Sequence, residues 1–447
     1  MTVRENPHAD QALDEIARLV RAGDHAQARK LCERVLAQSP DDADVLIWLA
    51  LIAMDDALWA DAIAAFDRAL QLRLDPWSLG NLAMCYCRTG RLTEAEHCLR
   101  GALELKPDLV RAHVNLAAVL HGLRRFDDAL AQLATASALD ATDYQIAMRQ
   151  GNALTELGRF DDAQAAYAHA ARLAGKFVYP RIVAFDRTTL DEITGQPRAI
   201  APPRMLDASD RQVDFRYVVL ISCDPAYLRK HGYAFIRSFA EHAHGDNLLH
   251  VHVYDADDPL IDETRTVARQ AGLARISMST EKCPFPRSEP QQRKSYYACG
   301  RLLHLPYWLN HYQRPVLSLD VDVIAKSRLD SLVDAAAGVD LALNLREPID
   351  SPWLDVIANI IIANPTAAAR RYLEAVGQYA LRCIEREREA WLVDQTALFC
   401  VLKMMARFGE PPAVAWLAES QHPCLWHYGG ANDHSMGDAR YLKYAAQ

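Results

Sequence analysis

Nowhere in the 447 residues is there a run of 18 or more apolar residues, and the opening MTVRENPHADQALDE has no apolar core of signal-peptide length. The chain is therefore read as having neither a membrane-spanning helix nor a secretory leader, with the cytoplasm as its expected location. Paired cysteines are missing too. Ten cysteines are scattered without a CxxC, and the closest couple, Cys85 and Cys87, stand two residues apart, which on a helix turns them to different sides. That excludes a zinc-ribbon pattern and argues against a disulfide framework. Also absent is a basic stripe: 49 Lys and Arg against 58 Asp and Glu leave a formal charge of −9 and a pI near 6.0. Such a surface does not track phosphate, so nucleic acid and other polyanions are poor partner candidates.

What is present begins with a repeat. Alanines recur at Ala28, Ala62, Ala95, Ala129 and Ala163, spaced 34, 33, 34 and 34, each preceded by five residues by a turn position, Gly23, Ala57, Gly90, Arg124 and Gly158. A period of that length signals stacked helical hairpins. Four residues after each alanine stands a larger side chain (Cys32, Phe66, Leu99, Leu133, Tyr167) and seven after it Val35, Ala69, Ala102, Ala136 or Ala170, steps that share one helical face. The preceding helices offer Ala50, Ala83, Ala117 and Gly151 where two helices must approach closely. The pattern resembles tetratricopeptide repeats, with Pro40 and Pro107 at the closing position; it departs from them at Ile16, which fills the small position of the first repeat, and at Ala141 and Gly175, where prolines would close the fourth and fifth. Five repeats over 9–175 are expected. The resemblance implies a concave surface that holds a peptide or partner protein, the competing role being a rigid spacer or dimerisation arm. Asn81, Asn115 and Asn152 are inner-face candidates, as peptide-holding amides or as ordinary solvated positions.

Periodicity fails over 176–213, where Pro180, Pro197, Pro202 and Pro203 gather, and this segment is expected to connect two domains. Its first half, with Phe177, Val178, Tyr179, Ile182, Val183 and Phe185, is too apolar for a free linker. From 214 to 447, β-branched runs alternate with helical patterns. YVVLISC at 217–223 reads as a buried strand, a helix follows from Tyr227 to Phe239, and then come a strand at 248–257, a helix at 259–272, a short strand at 274–278 and a long helix at 294–310. Alternation of this kind predicts a doubly wound α/β sheet with ligands at the carboxyl ends of its strands.

The most informative stretch is VLSLDVDV at 316–323. Read as one strand, it puts Asp320 and Asp322 on the same side at the carboxyl end, where two carboxylates can hold one divalent cation and, through it, a diphosphate. CDPAY at 223–227 lies at another such end.

Together these segments resemble the GT-A fold glycosyltransferases, closest to family 8, which includes glycogenin and lipopolysaccharide galactosyltransferases. The resemblance spans 214–447 and carries expectations residue by residue. Cys223, Asp224 and Tyr227 correspond to the first-strand turn, with Tyr227 placed to stack on the nucleotide base. KSYYACGRLLHLPYWL at 294–309 puts Arg301 at the basic position that contacts the donor, and Asn359 falls at a blurred sugar-approach motif. Asp394 and Gln395 match the pair near the reacting carbon. WHYGG at 426–430 makes His427 the third metal ligand beside Asp320 and Asp322, a set suited to manganese or magnesium. The lysine that steadies the leaving phosphate is replaced by ANDHS at 431–435, for which His434, Arg301 or Lys443 are substitutes; Asp340, Glu347 and Asp350 are weaker acceptor-side candidates. The resemblance implies metal-dependent transfer, with retention of configuration, from a nucleotide-diphosphate sugar (a UDP-sugar first among them) to a protein held by the repeats. Two other readings stand beside it: transfer to a surface glycan or lipid-linked sugar, and a non-catalytic adaptor with a decayed transferase domain.

Overall fold

The computed structural model describes residues 7–175, 182–195, 197–206, 214–345, 356–386, 393–418, 424–427 and 443–444. The chain divides into two units, Met1–Leu173 and Ala174–Gln447.

The first unit is helical throughout: α1 (Pro7–Arg21), α2 (His25–Gln38), α3 (Ala43–Asp55), α4 (Trp59–Leu72), α5 (Pro76–Arg88), α6 (Leu92–Leu105), α7 (Val110–Gly122), α8 (Phe126–Leu139), α9 (Tyr144–Glu156) and α10 (Phe160–Ala174). Aspartates start several of them, Asp42, Asp75 and Asp143 each accepting from an otherwise orphaned backbone N–H of α3, α5 and α9. All five turn positions named above have positive φ: Gly23 at 76°, Ala57 at 58°, Gly90 at 75°, Arg124 at 59° and Gly158 at 71°. Glycine adopts this conformation freely, whereas Ala57 and Arg124 hold it at a cost of about 1 kcal/mol each.

Four of the five hairpins set a large core side chain sixteen residues after a small one: Phe66 with Ala50, Leu99 with Ala83, Leu133 with Ala117, Tyr167 with Gly151, all but Gly151 being core residues at 2 % exposure or less; the first hairpin has Ile16 and Cys32 there instead. The last pair is the extreme case. A Cβ on Gly151 would stand 2.5 Å from the Tyr167 ring, so the tyrosine fits only because that Cβ is missing. Its hydroxyl donates to Asn152 Oδ1 at 3.0 Å and lies 3.2 Å from Thr155 Oγ1. Asn152 is therefore fully buried and structural, a correction to its expected place on an open inner face.

In the second unit the principal sheet has eight strands in the order β1-β4-β3-β2-β5-β8-β7-β9. They are β1 (Arg204–Met205), β2 (Tyr217–Cys223), β3 (Asn247–Tyr254), β4 (Ile276–Glu281), β5 (Val316–Leu319), β7 (Leu341–Leu345), β8 (Val356–Ala363) and β9 (Val414–Ala418); β6 (Val323–Ala325) and β10 (Leu425–His427) form a separate antiparallel pair. The centre runs parallel, but β8 is reversed between β5 and β7, and β1 is reversed at the edge, so the sheet is mixed α/β. Odd-numbered residues of β2 and β3 pack under α12 (Tyr233–His242), α13 (Asp258–Gln270) and α15 (Asp330–Ala335). Even-numbered ones face α14 (Pro290–Tyr312), which itself packs on α16 (Ala367–Arg386) and α17 (Val393–Phe408).

Residues 182–206 belong to this unit. Ile182, Val183 and Phe185 are buried, Phe185 sits edge-on to Phe399 of α17 at 6.0 Å, and Tyr379 of α16 donates to the Ile182 carbonyl. Helix α11 (Arg187–Gly195) is tied through Glu192 to Arg382 and Arg386, and β1 pairs with β4. The unit thus begins near Ala174, well before the expected start at 214, because the apolar residues of this segment find their core here. Phe177, Val178 and Tyr179 lie outside the described residues.

Three substitutions test the array. Gly151→Ala should lower stability by about 1–3 kcal/mol in urea denaturation, the overpacking outweighing the roughly 1 kcal/mol helix-propensity gain. Adding Tyr167→Leu, which restores the alanine–leucine pairing of α7 and α8, should recover most of that loss; a purely additive double variant contradicts the packing account. Ala57→Gly should raise stability by about 0.5–1 kcal/mol by relieving the left-handed alanine, and an unchanged or lowered midpoint counts against it.

Candidate active site

Strands β2 and β5 run parallel side by side, Ile221 opposite Leu319, so their carboxyl ends release Asp224 and Asp320 as neighbours. Asp224 caps a single helical turn, Pro225–Tyr227, its Oδ1 accepting from the N–H groups of Ala226 at 2.8 Å and Tyr227 at 3.0 Å. The cap turns Tyr227 across the gap, where its hydroxyl donates to Asp322 Oδ2 at 3.2 Å while its ring lies 4.5 Å from the His231 ring. Cys223 faces the α12-side core at 4 % exposure, so its backbone alone can line a ligand.

The two aspartates are not on one strand. β5 ends at Leu319, and the bend 320–322 leads into β6, which pairs with β10. The expected same-side alternation is therefore replaced by a turn that brings both carboxylates together, a local break imposed by the distant segment 425–427. Asp320 remains fastened to the sheet, its N–H donating to the Asn359 carbonyl at 3.0 Å. Asn359 is fixed in turn by Asn344, whose Nδ2 donates to Asn359 Oδ1 at 2.8 Å. Asn344 was not among the sequence candidates; an asparagine within the apolar run LALNL was the available signal.

Arg301, on α14, is 5 % exposed and ties these parts together. Its guanidinium pairs with Asp320, donates to the Ala358 carbonyl of β8 at 2.7 Å, and comes within 3.9 Å of Asp394 on the first turn of α17. Two polar atoms here are buried without a hydrogen-bond partner, Arg301 Nε and Gln395 Oε1. Unsatisfied groups of this kind are uncommon in folded proteins and single out this cluster as a candidate site.

Charge crowding shows in the titration behaviour. Burial, then the neighbouring Asp320 charge, push Asp322 up to about 6. Burial raises Asp394 as well, against the pull of Arg301. Burial and Asp322 raise the Tyr227 phenol, which stays protonated as the donor. Two converging carboxylates, one resisting ionisation because of the other, fit a hard divalent cation such as Mn2+ or Mg2+, which would relieve their repulsion.

Of the remaining candidates, His427 is held by backbone pairing opposite Val323, one residue from Asp322. His434, Glu347 and Asp350 lie outside the described residues. Lys443 donates to Glu241 at 2.6 Å at the end of α12 remote from the strand carboxyl ends, so it does not replace the missing lysine. Asp340 is spent on structure, accepting from Thr366 Oγ1 at 2.6 Å and Ala413 N at 2.7 Å.

Comparison with known proteins bears on the first unit. Tetratricopeptide-repeat models match residues 19–76, 74–142 and 144–177. The N-terminal unit carries tetratricopeptide repeats. Among curated relatives, the Saccharomyces cerevisiae mitochondrial import receptor subunit TOM70 is 38 % identical over 77 residues, 17 % of this chain and 12 % of that protein. A probable biofilm formation methyltransferase, WspC of Pseudomonas putida, is 37 % identical over 95 residues, 21 % of this chain and 22 % of the relative. The chain thus spans less than a quarter of the length of either. Similar solved structures include YrrB, a TPR protein with an unusual peptide-binding site (TM-score 0.36, 15 % identity, 38 % of this chain and 88 % of that one), and MamA (TM-score 0.35, 20 % identity, 36 % and 94 %). No helix among the described residues is long and apolar enough to cross a membrane.

The raised Asp322 has a stability signature. Between about pH 4, where an unfolded aspartate ionises, and about 6, the folded chain keeps a proton that the unfolded chain has released, so stability falls as pH rises through that window and stays lower above it. Asp322→Asn should therefore stabilise the metal-free protein by on the order of 1 kcal/mol at pH 7.5 and little at pH 4, as read by thermal melting. Equal effects at both pH values would show that Asp322 is not strained by its charge.

Proposed function

We propose that the chain is a metal-dependent glycosyltransferase that moves a sugar from a nucleotide-diphosphate donor to a polypeptide recruited by its repeats. The observation that carries the proposal is the meeting of Asp320, Asp322, Arg301 and Asp394 at the carboxyl edge of a mixed α/β sheet, the crevice where such sheets bind ligands. Asp320 and Asp322, with His427, would hold a divalent cation, which supplies electrostatic stabilisation of the charge developing on a leaving diphosphate.

The chain's own residues supply the rest. Tyr227 offers a partly exposed ring to a nucleotide base. Arg301 orients Asp320 and Asp394 in a single frame and adds fixed positive charge beside the phosphates. In the transfer, the bond from the anomeric carbon to the diphosphate breaks with its electrons leaving on the phosphate oxygen. The acceptor oxygen bonds to that carbon, and its proton passes to the departing diphosphate. Asp394 or Gln395 would steady the positively charged sugar centre or, with retention, attack it first. The donor class implied by the sequence resemblance is a UDP-sugar. For the repeats, an acceptor-holding role accords with the family and with the receptor name of the yeast relative.

One observation supports a second reading. Asp320 and Asp322 are engaged by Arg301 and Tyr227, which is also how a decayed site would quench two carboxylates; the chain would then be a repeat-bearing adaptor.

Release of nucleoside diphosphate from a panel of nucleotide sugars with manganese separates the two. Full-length protein should turn over one donor, and Asp320→Ala or Asp322→Ala should lower that rate at least about 100-fold with the helical circular-dichroism signal intact. Wild-type rates in both variants would sink the assignment, and no turnover with any donor selects the adaptor. A fragment 174–447, which keeps Ile182–Phe185 in their core, should retain donor hydrolysis and lose polypeptide labelling by mass spectrometry. Full labelling by the fragment would make the array a spacer.

A further inference from the structure

A second cluster of metal-ligating side chains lies on the other side of β2 from the acidic bend. Strand β3 is buried along its whole length, yet it carries two histidines, His250 and His252, both facing α14. His250 is accounted for: Nε2 is hydrogen-bonded to Ser279 Oγ at 2.8 Å and Nδ1 to Tyr312 Oη at 2.7 Å. His252 is not. Its Nδ1 meets the same Ser279 hydroxyl at 2.8 Å, but its Nε2 is buried with no hydrogen-bond partner and stands 3.6 Å from Glu281 Oε1 at the end of β4. From α14, one turn beyond Arg301, His304 brings its Nε2 to 2.7 Å from Glu281 Oε2, again in a geometry that is not a hydrogen bond.

Both rings are almost fully buried, at 1 % exposure for His252 and His304 alike, and the ligand atoms of all three side chains lie within 4.8 Å of one another. No lysine or arginine pairs with Glu281 among the described residues; Tyr296 Oη donates to its Oε1 at 3.1 Å. A carboxylate in a dry interior needs a compensating positive charge.

We propose that His252 Nε2, His304 Nε2 and the Glu281 carboxylate bind one zinc ion, a structural site that staples α14 to β3 and β4. Two imidazole nitrogens and one carboxylate are a zinc donor set, and tetrahedral bonds of about 2.0–2.1 Å put neighbouring ligand atoms roughly 3.4 Å apart. The 3.6 Å edge already matches; the 2.7 Å edge opens by a fraction of an ångström. Ser279 holds the second nitrogen of His252, the orienting bond that metal-bound histidines characteristically make. The site depends on neither the glycosyltransferase assignment nor the acidic bend, and it would fix the turn of α14 that presents Arg301.

Zinc content of purified full-length protein, measured by inductively coupled plasma mass spectrometry after desalting, tests it. Wild type and Asp322→Asn should each carry about one zinc per chain, and Glu281→Gln and His304→Gln below about a tenth of that. Because a buried variant can fail to fold, wild type refolded with a chelator is the second measurement: zinc at about 100 times its Kd should raise Tm by on the order of 5 °C. A zinc-free wild type with no Tm response overturns the proposal, as does a folded Glu281→Gln that keeps its full equivalent. Loss of zinc in Asp322→Asn alone moves the ion to the acidic bend and also overturns it.

Discussion

A guanidinium buried where water cannot reach it has to be surrounded by acceptors, and in the second unit that requirement joins four elements. Arg301 leaves α14, meets Asp320 at the end of β5, donates to the Ala358 carbonyl of β8 and approaches Asp394 at the start of α17. Removing one partner of a buried pair typically costs about 3–5 kcal/mol, because the other charge is stranded. Asp320, Asp394 and the reversed strand β8 are therefore held in mutual register by a single side chain. The reversal of β8 also matters: it brings Ala358 and Asn359, at the strand's amino-terminal end, beside the carboxyl end of β5, where their carbonyls receive Arg301 and the Asp320 N–H.

The first unit depends on a different constraint, the distance of closest approach between paired helices. Alanine or glycine sixteen residues before a large side chain sets that distance repeat by repeat, and Gly151 with Tyr167 shows how far the pairing adapts. The left-handed turns set the other dimension. They reverse the chain within each hairpin at the same position whether or not glycine is there, so Ala57 and Arg124 adopt a conformation that their repeats require and their own side chains disfavour. Arg124 has some compensation, its guanidinium lying 5.3 Å from the Phe126 ring centroid.

Features repeated along the chain or contained in one element were legible in the sequence. The alanine period located the turns, and alternating apolar runs located β2, β3, the long α14 and the acidic bend. Contacts made by distant segments were not. VLSLDVDV keeps a strand pattern to its end, and only pairing of β6 with Leu425–His427 breaks it after Leu319. Asn152 carried a groove-like spacing, yet the hydroxyl of Tyr167, fifteen residues away, draws it inward. Residues 182–206 were read as a connector because prolines interrupt them, while their burial against α16 and α17 depends on residues some 200 positions later. His252, Glu281 and His304 come from three elements at spacings that match no local motif, so nothing short of the folded sheet brings them together.

Helix α14 is the element on which both clusters converge. Arg301 and His304 are three residues apart on one face, so a displacement of the helix by a fraction of a turn would disturb both. Its packing leaves little room for that: a Cβ on Gly300 would stand 2.2 Å from Tyr254 Oη, and one on Gly377 of α16 would stand 3.1 Å from the backbone of Leu303. Tyr254 is in turn hydrogen-bonded to Ser222, the last inward residue of β2 before the Asp224 cap. The helix is thus held by close contacts from β3 and from α16 that leave little room for an added methyl. Burying the charge of Arg301 demands such rigidity, because a guanidinium whose acceptors drift even slightly loses the compensation for its desolvation. The position of Asp320 is consequently set by the helix behind it as well as by the backbone tie of the bend that contains it.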